Sequence, residues 1–386
     1  MSRSVFIAGR GAVSGYGAGL DILVEGIFSG LRAVRPRART LAFQALTDVA
    51  AELPAGCLGE EVAEIELPLR MAVHAGQAAL DEAGASDRSN LDLILATTKA
   101  ELSGLGSADN EAQPPTRPPT HPTAGLGFPA RLAQRIATQL RLRGVASSVS
   151  TACASGVTAL AMAERRIASG EAERILVVGT DALNRFIMTG FGGMGILDPE
   201  PCRPFDLSRR GISLGEGAGA MLLSADARES IGVRIAGHGG ANDACHVTGC
   251  DREGGGVERA VRRALEHARV APADIDLIHL HGTGTKANDF SEATGIGKAF
   301  GGTSALAFGT KSQTGHTLGA AGLIESLIAI AALERSCVPA NAGLIEPNVD
   351  PLLQLARDNE ALTRSRRALK IAGGFGGIQQ AMVFEA

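Results

Sequence analysis

The stretch "STACASGVTALAMAERRI", residues 150–167, carries one cysteine at the junction between a strand-like run and an Ala-rich helical run. Its hexapeptide "TACASG", from Thr151, recurs as "TGHTLG" from Thr314. At both places a strand-like run precedes the hexapeptide and an apolar helical run follows it. The match puts Cys153 and His316 at equivalent positions of two related units.

Two more pairs of segments match in the same order along the chain. "VFIAGRGAV" from Val5 recurs as "VRIAGHGGA" from Val233, and "AALDEAGASDRSNLDLIL" (78–95) resembles "RALEHARVAPADIDLIH" (263–279). Each match alone is weak, but three matches in a common order indicate a duplicated unit.

Short aliphatic and β-branched runs alternate with Ala-rich helical stretches along the chain, which predicts an α/β fold. The strand-like runs are residues 5–8, 91–96, 174–178, 233–236 and 275–280. We divide the chain into an N-terminal half with the candidate nucleophile, 1–230, and a C-terminal half with two candidate histidines, 231–386. The helices that follow the matched hexapeptides are expected to run side by side, and Gly156 and Gly319 would allow their close approach.

Composition limits the classes of function. With 45% hydrophobic and 20% charged residues, the chain of 386 residues is expected to be globular and soluble. A net charge of −4 and 3% aromatic residues give no basis for nucleic-acid binding. The most apolar helical run, 318–333, contains Glu325 and Ser326 and is too short and too polar to span a membrane. Six cysteines are too few for a disulfide framework, and the first residues lack a signal-peptide pattern, so we expect a cytoplasmic protein.

Cys153 is either an inert thiol in the core or a nucleophile. Its place at the start of a helix favours the nucleophile, because the free N–H groups and the positive end of the helix dipole stabilise a thiolate there. The small neighbours Thr151, Ser155 and Gly156 leave room for a substrate beside the sulfur. The pattern therefore predicts a reactive, ionised thiol at residue 153.

Histidines supply candidate partners for this thiol. His281 ends the strand-like run "IDLIHLHGTGT", at the edge where parallel sheets carry functional loops, whereas His279 is expected to pack in the core. His316 opens the second of the two equivalent helices, and Lys311 precedes it with a positive charge.

Two other kinds of site fit the sequence poorly. Cys245, His246 and Cys250 lie close together in the chain, but no pair has the spacing of a zinc site. The run "GRGAVSG", from Gly9, follows a strand as a dinucleotide-binding loop does, but Ser14 stands where the third glycine is required. We therefore predict neither a metal nor a nucleotide cofactor.

Four motifs together resemble those of the β-ketoacyl-acyl carrier protein synthases of the thiolase superfamily. They are "VSTACASG" around Cys153, "HGTGTKANDFSEA" from His281, "GTKSQTGHTLGAAG" with Lys311 and His316, and the late "GGFGGIQQAMVFE". The resemblance runs over residues 5–384. It implies a thiolase-like, five-layered αβαβα fold made of two similar halves, in agreement with the duplication, and it implies a dimer.

By this resemblance, the protein catalyses a decarboxylative Claisen condensation in chain elongation. Cys153 accepts an acyl chain from the phosphopantetheine thioester of an acyl carrier protein. The backbone N–H groups of Cys153 and Phe375 form the oxyanion hole, with Gly376 in the same glycine-rich gate loop. His281 and His316 hydrogen-bond the enolate that forms when malonyl-acyl carrier protein loses CO₂. No cofactor is implied, because the substrates arrive on the carrier's phosphopantetheine.

The resemblance also assigns supporting residues. Thr283 and Thr285 contact the pantetheine arm, although turn residues that bond their own backbone fit the sequence equally well. Lys311 and Glu325 form a pair that organises the site, since a glutamate on an apolar helix face is costly to bury alone. Two acidic residues match positions of the family but would need no function on a solvated helix face: Asp289 and Glu292.

The set of motifs separates this chain from its neighbours in the superfamily. The closing segment lacks the second cysteine of a thiolase, and His316 stands where synthases that prime with acyl-coenzyme A have asparagine. Cys153 is present, whereas a chain-length partner subunit lacks the nucleophile. The alternatives left open are a partner subunit of a heterodimeric synthase and a non-decarboxylating, thiolase-type acyltransferase.

Acyl carrier protein is the expected partner, together with a second synthase-like chain, either as a homodimer or as a heterodimer with a chain-length subunit. The carrier is acidic in this family, so a basic docking patch is expected. Its candidates are Arg70, Arg203, Arg209 and Arg210. The Pro-rich run 113–125 is expected on the surface, as a flexible loop or as a segment that contacts a partner or covers the site.

The pathway stays open between fatty-acid and polyketide synthesis. Where the family's closing loop begins with an aromatic residue, this chain has Gly373, and Ile378 and Gln379 replace a Thr-Asn pair. The missing aromatic predicts a wider or looser gate near Cys153. The run "ILATTKAEL", from Ile94, looks closer to synthases of aryl polyene or other polyketide clusters than to housekeeping fatty-acid enzymes.

Overall fold

Helices and strands alternate in this α/β protein, as the sequence predicts. The computed structural model describes residues 3–42, 47–59, 62–100, 128–302, 305–349 and 353–386, and the Pro-rich run 113–125 lies outside them. No helix in these ranges is both long enough and apolar enough to cross a membrane.

The strands fall into two sets along the chain. The first set is β1 (Val5–Ser14), β2 (Gly17–Ala18), β3 (Arg35–Pro36), β4 (Val49–Ala50), β5 (Asp92–Ala96), β6 (Ala146–Val149), β7 (Arg174–Asp181) and β8 (Gly217–Ser224). The second set is β9 (Arg234–Asn242), β10 (Leu277–His279), β11 (Leu306–Phe308), β12 (Cys337–Val338), β13 (Gln354–Leu355), β14 (Glu360–Ala361), β15 (Arg367–Gly374) and β16 (Ile378–Glu385). All five predicted strand-like runs are therefore confirmed as strands, although β1 and β9 each continue six residues beyond the predicted run.

The α-helices are α1 (Leu20–Phe28), α2 (Leu67–Glu82), α3 (Phe128–Gln139), α4 (Ser155–Ala168), α5 (Arg185–Gly193), α6 (Gly255–Ala268), α7 (Lys286–Phe300), α8 (Lys311–Thr314) and α9 (Ala321–Glu334). A short 3₁₀ turn, Leu318–Ala320, leads into α9. Residues on every side of α9 are buried, as expected of a helix that is apolar all round and enclosed by protein.

Both halves of the chain repeat one strand order. In the first half the order is β6-β5-β7-β8-β1, and in the second it is β11-β10-β15-β16-β9. The strand senses also match: β5 and β10 run parallel to both neighbours, whereas β8 and β16 run antiparallel to both of theirs. This repeat confirms the duplicated unit. The boundary at residues 230 and 231 falls between β8 and β9 and stays a prediction.

Five layers result from this arrangement. The two half-sheets meet where β1 pairs antiparallel with β9. Helices α4 and α9 lie against each other and contact strands of both halves, while α2 and α3 cover the outer face of the first half and α6 packs on the outer face of the second, with α7 against it. The order αβαβα is the predicted thiolase-like architecture.

Close helix contact in the middle layer depends on glycine. A Cβ atom on Gly156 would lie 2.7 Å from the backbone nitrogen of Leu323, and one on Gly322 would lie 2.7 Å from that of Val157. The prediction for Gly156 is therefore confirmed, but the prediction for Gly319 is wrong. Gly319 instead packs against the residue that follows β5, since its Cβ would lie 2.8 Å from the Cα atom of Thr97.

Candidate active site

A tight turn between β6 and α4 presents Cys153. Ala152 has a φ of 50°, in the left-handed region that residues with a Cβ atom rarely adopt. The Ser155 hydroxyl secures the turn, because it accepts a hydrogen bond from the Thr151 N–H at 2.9 Å and donates to the Ala152 carbonyl at 2.5 Å. Cys153 is buried at the start of the helix, with 6% of its surface exposed.

The equivalent turn in the second half presents His316. Gly315, which matches Ala152 in the duplicated hexapeptide, has a φ of 65°. The His316 backbone N–H donates to the Ser213 carbonyl at 2.7 Å. The two hexapeptides therefore share a positive φ at this position as well as a sequence pattern, and each carries a chemically reactive side chain just after that residue.

His281 is held by its backbone on both sides. Its N–H donates to the Glu292 carboxylate at 2.5 Å, and the Gly282 N–H donates to the same carboxylate at 2.9 Å. The Lys311 ammonium donates to the His281 carbonyl and lies 3.3 Å from its ring Nδ1. Because an ammonium can only donate, Nδ1 is the acceptor and the ring proton lies on Nε2.

The two imidazoles face each other in one site. The ring centroids of His281 and His316 are 5.5 Å apart, with an interplanar angle of 84°. Burial lowers the pKa of both rings well below the ordinary value of histidine, and the positive charge of Lys311 lowers it further. Both rings are therefore neutral at neutral pH. Each neutral imidazole carries one N–H group, which can donate a hydrogen bond.

Burial has the opposite effect on the thiol. It raises the pKa of Cys153 to about 12, because desolvation of the thiolate outweighs the nearby charge of Lys311. The prediction that the helix start ionises this thiol is therefore wrong at neutral pH. Cys153 rests as a thiol, and its proton must leave as the sulfur attacks.

The glycine-rich loop between β15 and β16 closes over the turn of Cys153. A Cβ atom on Gly374 would lie 2.8 Å from the Thr151 carbonyl oxygen, so only glycine fits there. Phe375 stacks on Phe191 with ring centroids 5.9 Å apart. Gly376 donates its N–H to the Val247 carbonyl at 2.7 Å, so Gly376 anchors the loop and its N–H is not available to an oxyanion.

One cavity of about 170 Å³ joins these side chains. The sequence-predicted residues along its wall are Cys153, Thr283, Thr285, His281, His316 and Phe375. Three further wall residues appear in the sequence analysis without a role in the site: Cys250, Asn288 and Gln379. Phe191, Ile196, Ile212 and Thr248 also line the wall. These four stand in no motif, and only the folded chain shows that they face the same space.

The two threonines form a local turn, as one interpretation of the sequence predicts, and their contact with a pantetheine arm stays a prediction. The hydroxyl oxygens of Thr283 and Thr285 are 2.9 Å apart, and the Thr285 hydroxyl accepts the Asn288 N–H at the start of α7. Both therefore take part in a local turn, and both line the cavity.

The acidic residues of α7 are buried rather than solvated. Asp289 accepts the Phe205 N–H at 2.8 Å and the Thr283 N–H at 3.1 Å. Burial raises the pKa of Glu292 to about 7, although the bound N–H groups of Gly282 and His281 lower it. The interpretation of a solvated helix face is wrong, and both carboxyl groups hold the loop that carries His281.

A buried ion pair supports the site from behind. Lys311 Nζ contacts Glu325 Oε1, as the sequence predicts, and both side chains are almost fully buried. The second carboxylate oxygen, Oε2, lies 2.7 Å from Nζ of Lys370, which the sequence analysis missed. The available signal was a lysine inside the apolar run "ALKIA" before the glycine-rich loop.

Other predicted residues lie away from this centre. His279 is fully buried and packs on Phe308 with ring centroids 4.5 Å apart, which confirms its structural role. Arg209 is also buried, 3.6 Å from Asp289, and is therefore wrong as a docking residue. The other three docking candidates lie at least partly on the surface: Arg70, Arg203 and Arg210. Across the described ranges, no cluster of three or more His, Cys, Asp or Glu residues is arranged to hold a metal ion.

Comparisons with known proteins agree with this geometry. Two models of the β-ketoacyl synthase family match the chain, the N-terminal domain over residues 2–228 and the C-terminal domain over residues 233–344. Nodulation protein E of Rhizobium meliloti is 31% identical over 401 residues, with 100% of both chains covered. The 3-oxoacyl-[acyl-carrier-protein] synthase 2 of Vibrio cholerae is 31% identical over 350 residues, with 84% of both chains covered.

A solved structure matches the whole fold. The ishigamide ketosynthase/chain length factor is 30% identical to this chain and superposes with a TM-score of 0.86, with 100% of both chains covered. Sequence models, full-length relatives and this structural match all point to one enzyme family. The chain belongs to the β-ketoacyl synthase family.

Proposed function

We propose that this chain extends carrier-bound acyl groups with Cys153 as the acyl acceptor and His281 and His316 as hydrogen-bond donors to the enolate. Family membership gives the reaction class, a condensation in fatty-acid or polyketide elongation. The observation that supports the residue roles is that all three side chains line one cavity.

The first step transfers the acyl chain. The sulfur of Cys153 attacks the thioester carbonyl of an acyl-carrier protein, its S–C bond forms, and the carrier's S–C bond breaks. The thiol proton passes through the neutral imidazole of His316 to the departing pantetheine sulfur, because Nε2 of His281 already carries a proton and its Nδ1 faces Lys311. Backbone N–H groups of Cys153 and Phe375 stabilise the tetrahedral oxyanion.

The second step makes the carbon–carbon bond. Malonyl-carrier protein loses CO₂, and the electron pair of the broken bond moves onto the thioester oxygen. N–H groups of His281 and His316 donate to that oxygen, which avoids a free carbanion in water. The enolate carbon then attacks the acyl-Cys153 carbonyl, the C–S bond breaks, and the sulfur regains a proton from solvent.

A reconstituted condensation tests these roles. Purified protein is mixed with acyl-carrier protein and malonyl-carrier protein, and the β-ketoacyl product is measured by mass spectrometry. Cys153→Ala is expected to form no product, whereas Cys337→Ala, a half-buried cysteine that does not line the cavity, keeps the wild-type rate. Equal product from wild type and Cys153→Ala would overturn the assignment.

We also propose a carrier protein and a second synthase-like chain as partners. The structurally similar ishigamide protein is described as a ketosynthase/chain length factor, which supports a heterodimer. Strand β6 lies at an end of the strand order, and Val145 just before it is 63% exposed, so this edge is available for pairing. A monomer by light scattering, alone and with a co-expressed chain-length subunit, would contradict the proposal.

Polyketide elongation, as in an aryl polyene cluster, is the proposed pathway, because Gly373 replaces the bulky residue expected at the gate. The carrier's phosphopantetheine supplies the thiol handle, so no resident cofactor is needed. The cytoplasm is the proposed compartment, since Cys153 must stay reduced to react. Comparing product lengths from acyl-carrier substrates of increasing length tests the pathway: a stop at short saturated chains would contradict it.

A further inference from the structure

Lys370 is a second buried lysine behind the site, and the mechanism above does not use it. It lies on β15, and its side chain is fully buried. Its Nζ donates to the Ile371 carbonyl at 2.5 Å and to the Leu280 carbonyl at 3.3 Å, and lies 2.7 Å from Glu325 Oε2. An ammonium without access to water needs such partners, because isolated burial of its charge is very costly.

Glu325 is shared between two ammonium groups. Its Oε1 contacts Lys311, and its Oε2 faces Lys370. With both lysines protonated, two positive charges lie beside one negative charge. The excess positive charge lies behind the imidazoles and opposes their protonation, and Lys370 contributes to the lowered pKa of both His281 and His316.

Both lysines also hold the backbone that carries His281. Lys370 donates to the carbonyl of Leu280, the residue just before it, and Lys311 donates to the carbonyl of His281 itself. Glu292 binds the N–H of His281 from the other side. The peptide units on both sides of the histidine are therefore fixed by charged groups.

We propose that Lys370 is a positioning residue for the decarboxylation step, which fixes Glu325 and the Leu280 carbonyl and so orients neutral His281 toward the enolate oxygen. This rests on the proposed role of His281. In malonyl decarboxylation a donor displaced by about 1 Å costs up to about 10²-fold in rate, so a group that fixes the donor has a measurable effect.

The charged and titratable groups around Lys370 come from four elements and two loops. They are Glu325 on α9, Lys311 on α8, Glu292 on α7, His279 on β10, His281 in the loop after β10 and His316 in the turn after α8. Burial lowers the pKa of Lys370 to about 8, and the charge of Lys311 lowers it too, while Glu325 raises it. Lys370 therefore carries its charge below about pH 8, which includes the acid range in which the histidines begin to protonate and His281 Nδ1 would lose its hydrogen bond from Lys311.

Lys370→Met removes the positive charge and the N–H donors of this side chain but keeps a side chain of similar size. The variant therefore tests charge and positioning while packing changes little. The readout is CO₂ release from malonyl-carrier protein by the full-length protein between pH 5 and pH 8. We expect a rate about 10-fold lower at pH 7, with the acid limb of the profile moved to higher pH, because loss of a positive charge makes the histidines easier to protonate. Acylation of Cys153 by acyl-carrier protein stays within about twofold of wild type, since that step does not need His281.

Two further variants make the test decisive. Lys99→Met removes another buried lysine, one that pairs with Asp181 at 3.5 Å, and should leave the acid limb in place. If Lys370→Met does not fold, Lys370→Gln removes the same charge and keeps a donor, and its acid limb is measured instead.

The possible failures are distinguishable. An acid limb that stays at the wild-type pH, with or without a slower rate, overturns the role of Lys370 alone. Wild-type CO₂ release by His281→Ala overturns the role of His281, and the role of Lys370 with it.

Discussion

Burial raises the pKa of the Cys153 thiol and lowers the pKa of the two imidazoles, and both shifts favour the uncharged form of the group. Desolvation keeps Cys153 protonated and keeps His281 and His316 neutral. A thiol that rests protonated resists side reactions, and it gains nucleophilicity when a neutral imidazole removes its proton. The neutral His316 ring can then accept the thiol proton in acyl transfer, and both rings can donate hydrogen bonds in decarboxylation.

Alkylation of Cys153 by iodoacetamide should therefore rise with pH far beyond neutrality. Because burial raises the pKa of this thiol to about 12, the thiolate fraction is still increasing at pH 10. The modified peptide is quantified by mass spectrometry, and exposed Cys245 in the same sample is the internal control. A Cys153 rate that levels off below pH 8 would show an ionised thiol and contradict this account.

The two histidines should affect decarboxylation far more than acyl transfer. His281→Ala and His316→Ala each remove one donor to the enolate oxygen, which costs about 10²-fold or more in CO₂ release. The acyl adduct on Cys153 should form at the wild-type rate in His281→Ala and more slowly in His316→Ala, which lacks the acceptor of the thiol proton. Wild-type CO₂ release by both variants would show that the enolate is stabilised elsewhere.

Motifs in the sequence predicted some residues of the site, but other residues of the site lie in no motif. Cys153, His281 and His316 stand in spaced motifs, so the sequence identified them, and the fold places them in one cavity. Lys370 lies in an apolar strand, and a strand pattern does not show which helix supplies the facing carboxylate. The pKa of Cys153 was missed for a similar reason, because the helix start is visible in sequence but the depth of burial is not.

At the scale of elements, glycines set how closely the central helices and the gate loop approach the nucleophile. Gly156 and Gly322 bring α4 against α9, and Gly374 brings the loop against the Cys153 turn. A Cβ on Gly373 would lie 3.3 Å from the His281 ring and 3.2 Å from Gln379 Oε1. An aromatic side chain there would press on both, so glycine at 373 leaves space beside the imidazole.

Gly156→Ala should destabilise the fold. The added methyl group would lie 2.7 Å from the Leu323 nitrogen, so α4 and α9 must separate, which costs about 1–3 kcal/mol in the free energy of unfolding. The matched control is Gly190→Ala on α5, where the new Cβ meets no atom within 4 Å apart from its chain neighbours and the backbone of its own helix, and alanine favours the helix by up to about 1 kcal/mol. Equal stability of the two variants in urea would contradict the close packing of α4 and α9.

The whole molecule is two copies of one α/β unit that bring their equivalent turns to a shared cavity. Periodicity and internal matches predicted the strands and the duplication, because each copy repeats the same alternation of apolar runs, and the family resemblance implied the five layers. The partner of Gly319 and the burial of Arg209 depend on long-range contacts, which no local pattern encodes. For the same reason the sequence did not decide whether Asp289 and Glu292 lie on a solvated face of α7, and in the fold both side chains are buried.

The free energy of unfolding of the whole chain should depend on pH through the protonation of Glu292. Its pKa is about 7 when folded and near 4.5 when unfolded, so the folded state binds the extra proton between these values. Its contribution to stability is thus full below about pH 4.5 and is lost as pH rises through 7. Wild type should lose on the order of 2 kcal/mol relative to Glu292→Gln between pH 5 and pH 8 in urea unfolding. A difference that stays constant or grows with pH would contradict this sign.

The most direct test of the central claim is the intact mass of the protein after incubation with acyl-carrier protein alone, followed by peptide mapping. This account predicts one added acyl group per chain, located on the peptide that contains Cys153, and none in Cys153→Ala. An unmodified wild-type chain, or an acyl group that persists in Cys153→Ala, would contradict it.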